Sequence, residues 1–362
     1  MAKIESYPIH GGQLRQIAER FAVDESQLQD FSANINPDGP PAAVIAALRA
    51  GIDDLSTLTE YPDLQQTDLK HAIAMHIGVK PENIIVANGF VPLLEATLQA
   101  IKIRNCLLPV PAFVEYRKTL ERSKIEVTPR LLNAESGFNY DPAEMLAGTH
   151  DAILLANPQN PSGVCQDSEL MRDIAAKAYE KNTFVLLDEA FIDYAPQHSL
   201  TSAADDFSNL IIFRSITKFY GIPGLRVAYA VANSVLASSI NDNLAPWPIT
   251  TLASRAACVV LADEIYVGRT INENLHRKAI FEGALKSLGF TVYPSGANFL
   301  LFRLTTDVDP KYFWEQMIVD HHIVLRNCAN YEGLDPGHFR AAVRTQEENT
   351  RLQKALKDTI SR

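Results

Sequence analysis

Short strand-like stretches recur along the chain, at 84–87, 105–110, 125–132, 152–156, 183–187, 210–213 and 227–231, and most of them are apolar at nearly every position, 125–132 being the mixed one. Runs that are apolar at consecutive positions suit strands buried on both faces. Between the runs lie stretches with helical spacing, at 13–21, 42–48, 64–77, 92–101, 113–123 and 167–181. Strand and helix alternating at this spacing predict a mainly parallel sheet covered by helices on both sides, an α/β fold. From about residue 236 the pattern changes. Residues 252–288 are largely helical; strands at 290–293, 299–304, 323–326 and 340–343 then mix with helices at 312–321 and 347–360. The expected organisation is an N-terminal arm (1–40), a large domain (41–240) and a smaller α+β domain (241–362). At 362 residues the chain exceeds one small core, which agrees with that division.

The polar positions that end these runs carry the chemistry. Asn157-Pro158-Gln159-Asn160-Pro161-Ser162-Gly163 closes one run, Asp188-Glu189 another, and Ser215-Ile216-Thr217-Lys218 a third. Ligands on parallel sheets sit at the carboxyl ends of the strands. Asn160, Asp188 and Lys218 therefore converge there from distant segments. Ser215, Thr217 and, a little further on, Arg226 flank Lys218 with two hydroxyls and a guanidinium. That set suits a cofactor bearing an aldehyde and a phosphate: the amine takes the aldehyde, the others hold the dianion. An ordinary polar surface loop has the same composition. Gly89 lies between a strand and a helix, where free backbone N–H groups can also hold a phosphate.

Each of these residues has a plainer reading. Asp188 is suited to a pyridinium nitrogen but equally to capping a turn. Asn160 can donate to a ring oxygen or make a turn before Pro161. Phe113 can stack on a ring or simply fill the core. The rigid stretch 30–41, with its prolines and asparagines, is a binding element or a linker. Arg340 on an apolar strand and Arg326 at the end of another must each meet an anion, from the protein or from a ligand.

Composition narrows the class. Apolar residues make up 47% and charged residues 21%, ordinary for a globular enzyme, and the net charge of −10 argues against nucleic acid as a main partner. The four cysteines show neither a zinc spacing nor a disulfide framework. No apolar run approaches the about 18 residues of a membrane span, and the first residues lack the apolar run of a signal peptide, so a cytoplasmic protein without a membrane partner is expected.

Taken together, Asn160-Pro161-Ser162-Gly163, Asp188-Glu189-Ala190, Ser215-Ile216-Thr217-Lys218 and Gly224-Leu225-Arg226 resemble the motifs of fold-type I pyridoxal-phosphate (PLP) enzymes, the class I/II aminotransferase superfamily, over essentially the whole chain. The resemblance implies a mainly parallel seven-stranded sheet, PLP as cofactor and a homodimer with a shared active site. It implies that Lys218 carries the cofactor and Asp188 meets its ring nitrogen. Asn160 meets the ring oxygen and Phe113 stacks on the ring. Ser215, Thr217, Arg226 and the backbone at Gly89 and Phe90 hold the phosphate, with Tyr61 reaching the partner subunit's cofactor. For a small phosphorylated amino acid it implies His10, Gly11, Asn34, Asn160, Arg326, Arg340 and Arg344 as substrate groups.

Within the superfamily, His10-Gly11-Gly12, residues 31–37, Arg326-Asn327-Cys328 and Phe191 favour enzymes that decarboxylate threonine phosphate, in cobamide biosynthesis, over those that transaminate histidinol phosphate. A regulatory reuse of the fold agrees poorly with an acidic chain that keeps Lys218. One departure stands out: Gly89-Phe90-Val91-Pro92 replaces the small or acidic residues usual after that glycine, and Pro92 has no N–H to give.

Overall fold

A computed structural model describes residues 7–305 and 308–361; the first six residues of the expected arm lie outside them. The large domain is built on seven strands in the spatial order Ile84–Ala87, Ala228–Val231, Leu210–Ser215, Phe184–Asp188, Ala152–Ala156, Asn105–Val110 and Glu126–Leu131. Ala228–Val231 runs antiparallel to both neighbours, and the pairings from Leu210–Ser215 to Glu126–Leu131 are parallel. The period-two alternation of side chains explains why consecutive apolar residues are needed. Leu154, Leu186 and Ile211 enter one core with Leu94 of the helix Phe90–Ile101. Leu155, Leu187 and Ile212 enter the core on the other face, with Ile174 of the helix Ser168–Glu180. Each fully buried Leu or Ile stabilises the fold by about 1.5–3 kcal/mol, before the entropy of ordering it.

The smaller sheet runs in the order Arg326–Asn327, His338–Ala342, Phe299–Arg303 and Thr291–Val292, with antiparallel pairings. Phe302, Phe339, Trp314 and Leu352 form its core under the helices Pro310–Val319 and Gln346–Ile360. The N-terminal arm packs into this same core. Its residues Gln29–Asp30 pair parallel with Ile323–Val324, and Ile17 and Phe31 are buried in the cluster.

Several boundaries differ from the sequence expectation. The helix expected over 64–77 starts at Thr67, because Gln66 is left-handed and the Asp63 carboxylate accepts from the Gln65 and Thr67 N–H groups instead. The helical stretch 252–288 is two helices, Thr251–Leu261 and Glu264–Ser287, broken where Asp263 caps the second. The helix expected from residue 92 begins at Phe90, so Pro92 occupies the first turn, where no N–H is required. Ser234–Asn241 is a helix that the sequence reading did not single out.

Candidate active site

A cavity of about 470 Å³ opens at the carboxyl ends of the large-domain strands. His10, Gly11, Asn34, Gly89, Phe90, Phe113, Asn160, Ser215, Thr217, Lys218, Arg226, Arg326 and Arg340 all line it. Of the three residues expected to converge from strand ends, Asn160 and Lys218 line this cavity and Asp188 does not. Phe191 and Glu115 join the lining.

Lys218 stands at the centre, just past the strand Leu210–Ser215. Its Nζ donates to Ser215 Oγ at 3.3 Å and sits 5.2 Å from the centre of the Phe191 ring. Burial pushes its pKa below the ordinary lysine value; the Asp188 carboxylate opposes that shift and the Arg226 guanidinium adds to it. Ser215 Oγ and Thr217 Oγ1 lie 2.7 Å apart. Gly89 caps the helix Phe90–Ile101 with φ +95°, a left-handed conformation glycine adopts without strain. A Cβ there would come within 2.9 Å of Arg226 Nη2, so the bare backbone is what lets the guanidinium approach. The helix brings its first-turn N–H groups to the same place.

Asp188 ends the strand Phe184–Asp188 and, though outside the lining, its carboxylate acts on Lys218. Its Oδ2 accepts from the Tyr116 hydroxyl at 2.5 Å and its Oδ1 from the Ala190 N–H at 2.8 Å. Burial raises its pKa, against the lowering effects of Tyr116, Lys218 and the Ala190 N–H. The next residue, Glu189, points away and pairs with buried Arg214 at 3.4 Å. Sequence reasoning missed Tyr116. The available signal was its position three residues after Phe113, on the same helical face.

The outer end of the cavity is cationic. Arg326 and Arg340 are register partners on adjacent antiparallel strands, and both are buried. Arg340 Nη2 donates to the Ser32 carbonyl at 2.9 Å, Nη1 donates to Asn160 Oδ1, and the guanidinium lies 5.2 Å from the Phe299 ring centre. Arg326 donates to the Pro8 carbonyl at 2.9 Å, the Ile9 carbonyl at 2.7 Å and Asn330 Oδ1 at 2.8 Å. The arm is thus held by the arginine. His10 Nε2 meets Glu115 Oε1 at 3.2 Å. Burial lowers the His10 pKa, which Glu115 opposes. Asn34 Oδ1 is buried with no hydrogen-bond partner among the described residues. A Cβ on Gly11 would run into the Ser32 carbonyl, so the arm passes there only as glycine.

Besides Asp188, two expected residues, Arg344 and Tyr61, lie outside the lining of this cavity. The strand His338–Ala342 ends before Arg344, and the chain turns into a capping box in which Thr345 and Glu348 close the next helix. Arg344 accordingly donates to Glu348 Oε1 from Nη2 at 2.7 Å and from Nε at 2.9 Å. Tyr61 is 79% exposed and stacks on Trp247 with ring centres 4.5 Å apart.

The donor set fits PLP. There is a buried amine, an anion cradle that a Cβ on Gly89 would crowd, and a buried carboxylate behind them. The sequence also matches the family Aminotransferase class I and II over residues 26–356. The chain belongs to that family, and it is a pyridoxal-phosphate-dependent enzyme.

Among individual proteins, the chain is 34% identical over 358 residues to the threonine-phosphate decarboxylase of Salmonella typhimurium, covering 97% of this chain and 96% of that one. It is 29% identical over 360 residues to the adenosylcobalamin biosynthesis bifunctional protein CobDQ of Leptospira interrogans, covering 96% of this chain and 41% of that longer protein. The solved histidinol-phosphate aminotransferase of Clostridium acetobutylicum superposes with a TM-score of 0.85 at 28% identity, covering 91% of this chain and 98% of that one. No helix among the described residues is long and apolar enough to cross a membrane.

Proposed function

We propose that this enzyme decarboxylates L-threonine O-3-phosphate to (R)-1-amino-2-propanol phosphate, a step of cobalamin biosynthesis. The observation that carries the reading is the pair Arg326 and Arg340, buried as cross-strand partners at one end of the cavity that holds Lys218. Two guanidiniums side by side, with His10 nearby, suit a substrate with both a carboxylate and a phosphate. The relatives in Salmonella and Leptospira support the same reading.

In this reading Lys218 takes the cofactor's aldehyde, and Asp188 and Asn160 meet its ring nitrogen and ring oxygen. Phe113 lies against its ring. Ser215, Thr217, Arg226 and the N–H groups at Phe90 and Val91 take its phosphate. When bound, PLP supplies an electron sink for the bond broken at the substrate's Cα. Arg340 takes the substrate carboxylate, and Arg326 with His10 takes the substrate phosphate. Anchoring both anions fixes which Cα bond stands perpendicular to the ring, and so which bond breaks. Once the substrate's amino group has replaced it on the aldehyde, the freed Lys218 Nζ would deliver a proton to Cα where carbon dioxide has left. Its lowered pKa suits an amine that gives and takes protons nearer neutrality than a surface lysine.

An aminotransferase acting on histidinol phosphate is the second reading, favoured by the likeness to the Clostridium enzyme. There Lys218 would remove the Cα proton instead. Incubation of the purified protein with threonine phosphate separates the two. Carbon dioxide release without any 2-oxo acid supports decarboxylation; amino transfer to 2-oxoglutarate without carbon dioxide release overturns it.

A homodimer is part of the proposal. Ile52, Leu55, Leu58, Tyr61 and Trp247 are all exposed. They lie on or beside the helices Ala42–Asp53, Ser56–Thr59 and Thr251–Leu261, a large apolar set for a free surface. A second copy covering this set would bring Tyr61 to the neighbouring cofactor phosphate. Light scattering at micromolar concentration checks it; a monomeric mass would remove Tyr61 from the site.

A further inference from the structure

Tyr116 does not line the cavity, yet it touches the residues that build it. It lies in the helix Val114–Arg122 and is buried. Its ring centre is 5.4 Å from that of Phe90, at the phosphate cradle, and 5.5 Å from that of Phe113, on the cavity wall. Its hydroxyl donates to Asp188 Oδ2 at 2.5 Å, while the Ala190 N–H holds Oδ1 at 2.8 Å.

Each carboxylate oxygen thus carries one protein hydrogen bond and keeps lone-pair capacity for an incoming N–H. The other groups facing Asp188 are the Lys218 ammonium and the Tyr140 hydroxyl. Tyr140 is engaged elsewhere: its hydroxyl meets the Ala156 backbone, donating to the carbonyl at 2.9 Å and accepting from the N–H at 3.1 Å. A buried tyrosine can be satisfied by backbone, as Tyr140 is. Tyr116 instead gives its proton to a buried charge, where one hydrogen bond is worth roughly twice a neutral one.

We propose that Tyr116 is a positioning residue: its hydroxyl clamps Asp188 so that the carboxylate stays ionised and aimed at the cofactor's ring nitrogen. The inference rests on the role proposed above for Asp188. Burial alone pushes the Asp188 carboxyl toward its neutral form, and the Tyr116 hydrogen bond acts against that. A phenol buried beside a carboxylate keeps its own proton, so the donor is constant across the working pH range.

The test reads the ring nitrogen directly. Protein is reconstituted with PLP labelled with ¹⁵N in the ring, and its resonance is followed by NMR. Tyr116→Phe keeps the ring and removes the donor. The expected result is a shift from the protonated toward the neutral-pyridine position, with the PLP dissociation constant raised about tenfold.

Asp188→Asn tests the underlying reading separately. It should itself move the resonance to the neutral position, and adding Tyr116→Phe to it should then change nothing. If Asp188→Asn leaves the resonance protonated, the role of Asp188 fails. If Asp188→Asn shifts it but Tyr116→Phe does not, the role of Tyr116 fails. Should Tyr116→Phe not fold, 4-aminophenylalanine at position 116 decides: a weaker donor of nearly the same shape should move the resonance part of the way toward the neutral position, and an unmoved resonance overturns the proposal.

Discussion

The two ends of the cavity are finished to different degrees. At the large-domain end, Ser215, Thr217 and the first turn of Phe90–Ile101 present donors at the end of a fully buried strand. Arg226 faces them with no ion pair to a protein carboxylate among the described residues. No protein carboxylate among the described residues has to leave Arg226 before an anion is taken up. At the small-domain end, both arginines are already engaged: Arg340 by Ser32 and Asn160, Arg326 by Pro8, Ile9 and Asn330. An anion arriving there meets guanidiniums whose donors are partly committed, several to carbonyl oxygens of the arm, while Arg340 Nε has no partner among the described residues. On the roles proposed above, the cofactor end keeps its guanidinium free of protein carboxylates, while the substrate end shares its guanidiniums with the arm. On that proposal, a ligand that displaces the arm's carbonyls without replacing their hydrogen bonds would bind less well.

Substitutions can separate the two ends. Lys218→Ala should be the most severe, lowering turnover by about 10³-fold or more, with loss of the visible absorbance of the reconstituted protein. Retention of that absorbance would remove Lys218 from its role. Next comes Arg340→Met. It should lower kcat/KM for threonine phosphate by about 10²-fold while leaving the PLP dissociation constant within about twofold. Equal damage to both constants would mean that the ends are not independent.

Gly11→Ala should act more mildly, displacing the arm from the Ser32 carbonyl and raising KM about tenfold, again without effect on PLP binding. The smallest effect is a pH shift. Burial lowers the Lys218 pKa and the Asp188 carboxylate holds part of the proton on. Reaction of apoprotein with an aldehyde should therefore rise with pH and level off below the pH of a surface lysine. Asp188→Asn should move that plateau lower still. A plateau at the ordinary lysine value, by stopped-flow absorbance, would contradict the lowered pKa.

Much of the cofactor end was legible because it sits where apolar runs stop. Asn160, Asp188 and Lys218 each follow a buried strand, and parallel pairing puts such ends on one edge of the sheet. The substrate end was less legible. Arg340 and Arg344 look alike in sequence, four residues apart near an apolar strand. What distinguishes them is the strand ending at Ala342 and the Glu348 of the following cap, which claims Arg344. Tyr116 stayed hidden for another reason: its partner Asp188 is 72 residues away, and only the sheet order brings the helix over that strand. The grip of Arg326 on main-chain oxygens of the arm has no side-chain signature at all.

The register of Arg326 with Arg340 also has a thermodynamic side. Like charges directly opposite each other on neighbouring strands repel. Carbonyl dipoles mask this repulsion but leave the net charge in place. A substrate that sets its carboxylate on Arg340 and its phosphate on Arg326 would relieve it, so the smaller domain should melt later as substrate is added. Linkage gives about 2.7 kcal/mol at a ligand concentration one hundred times the dissociation constant. In a cell, the starved enzyme would then be the form that proteases meet first, and its abundance would follow the supply of its substrate.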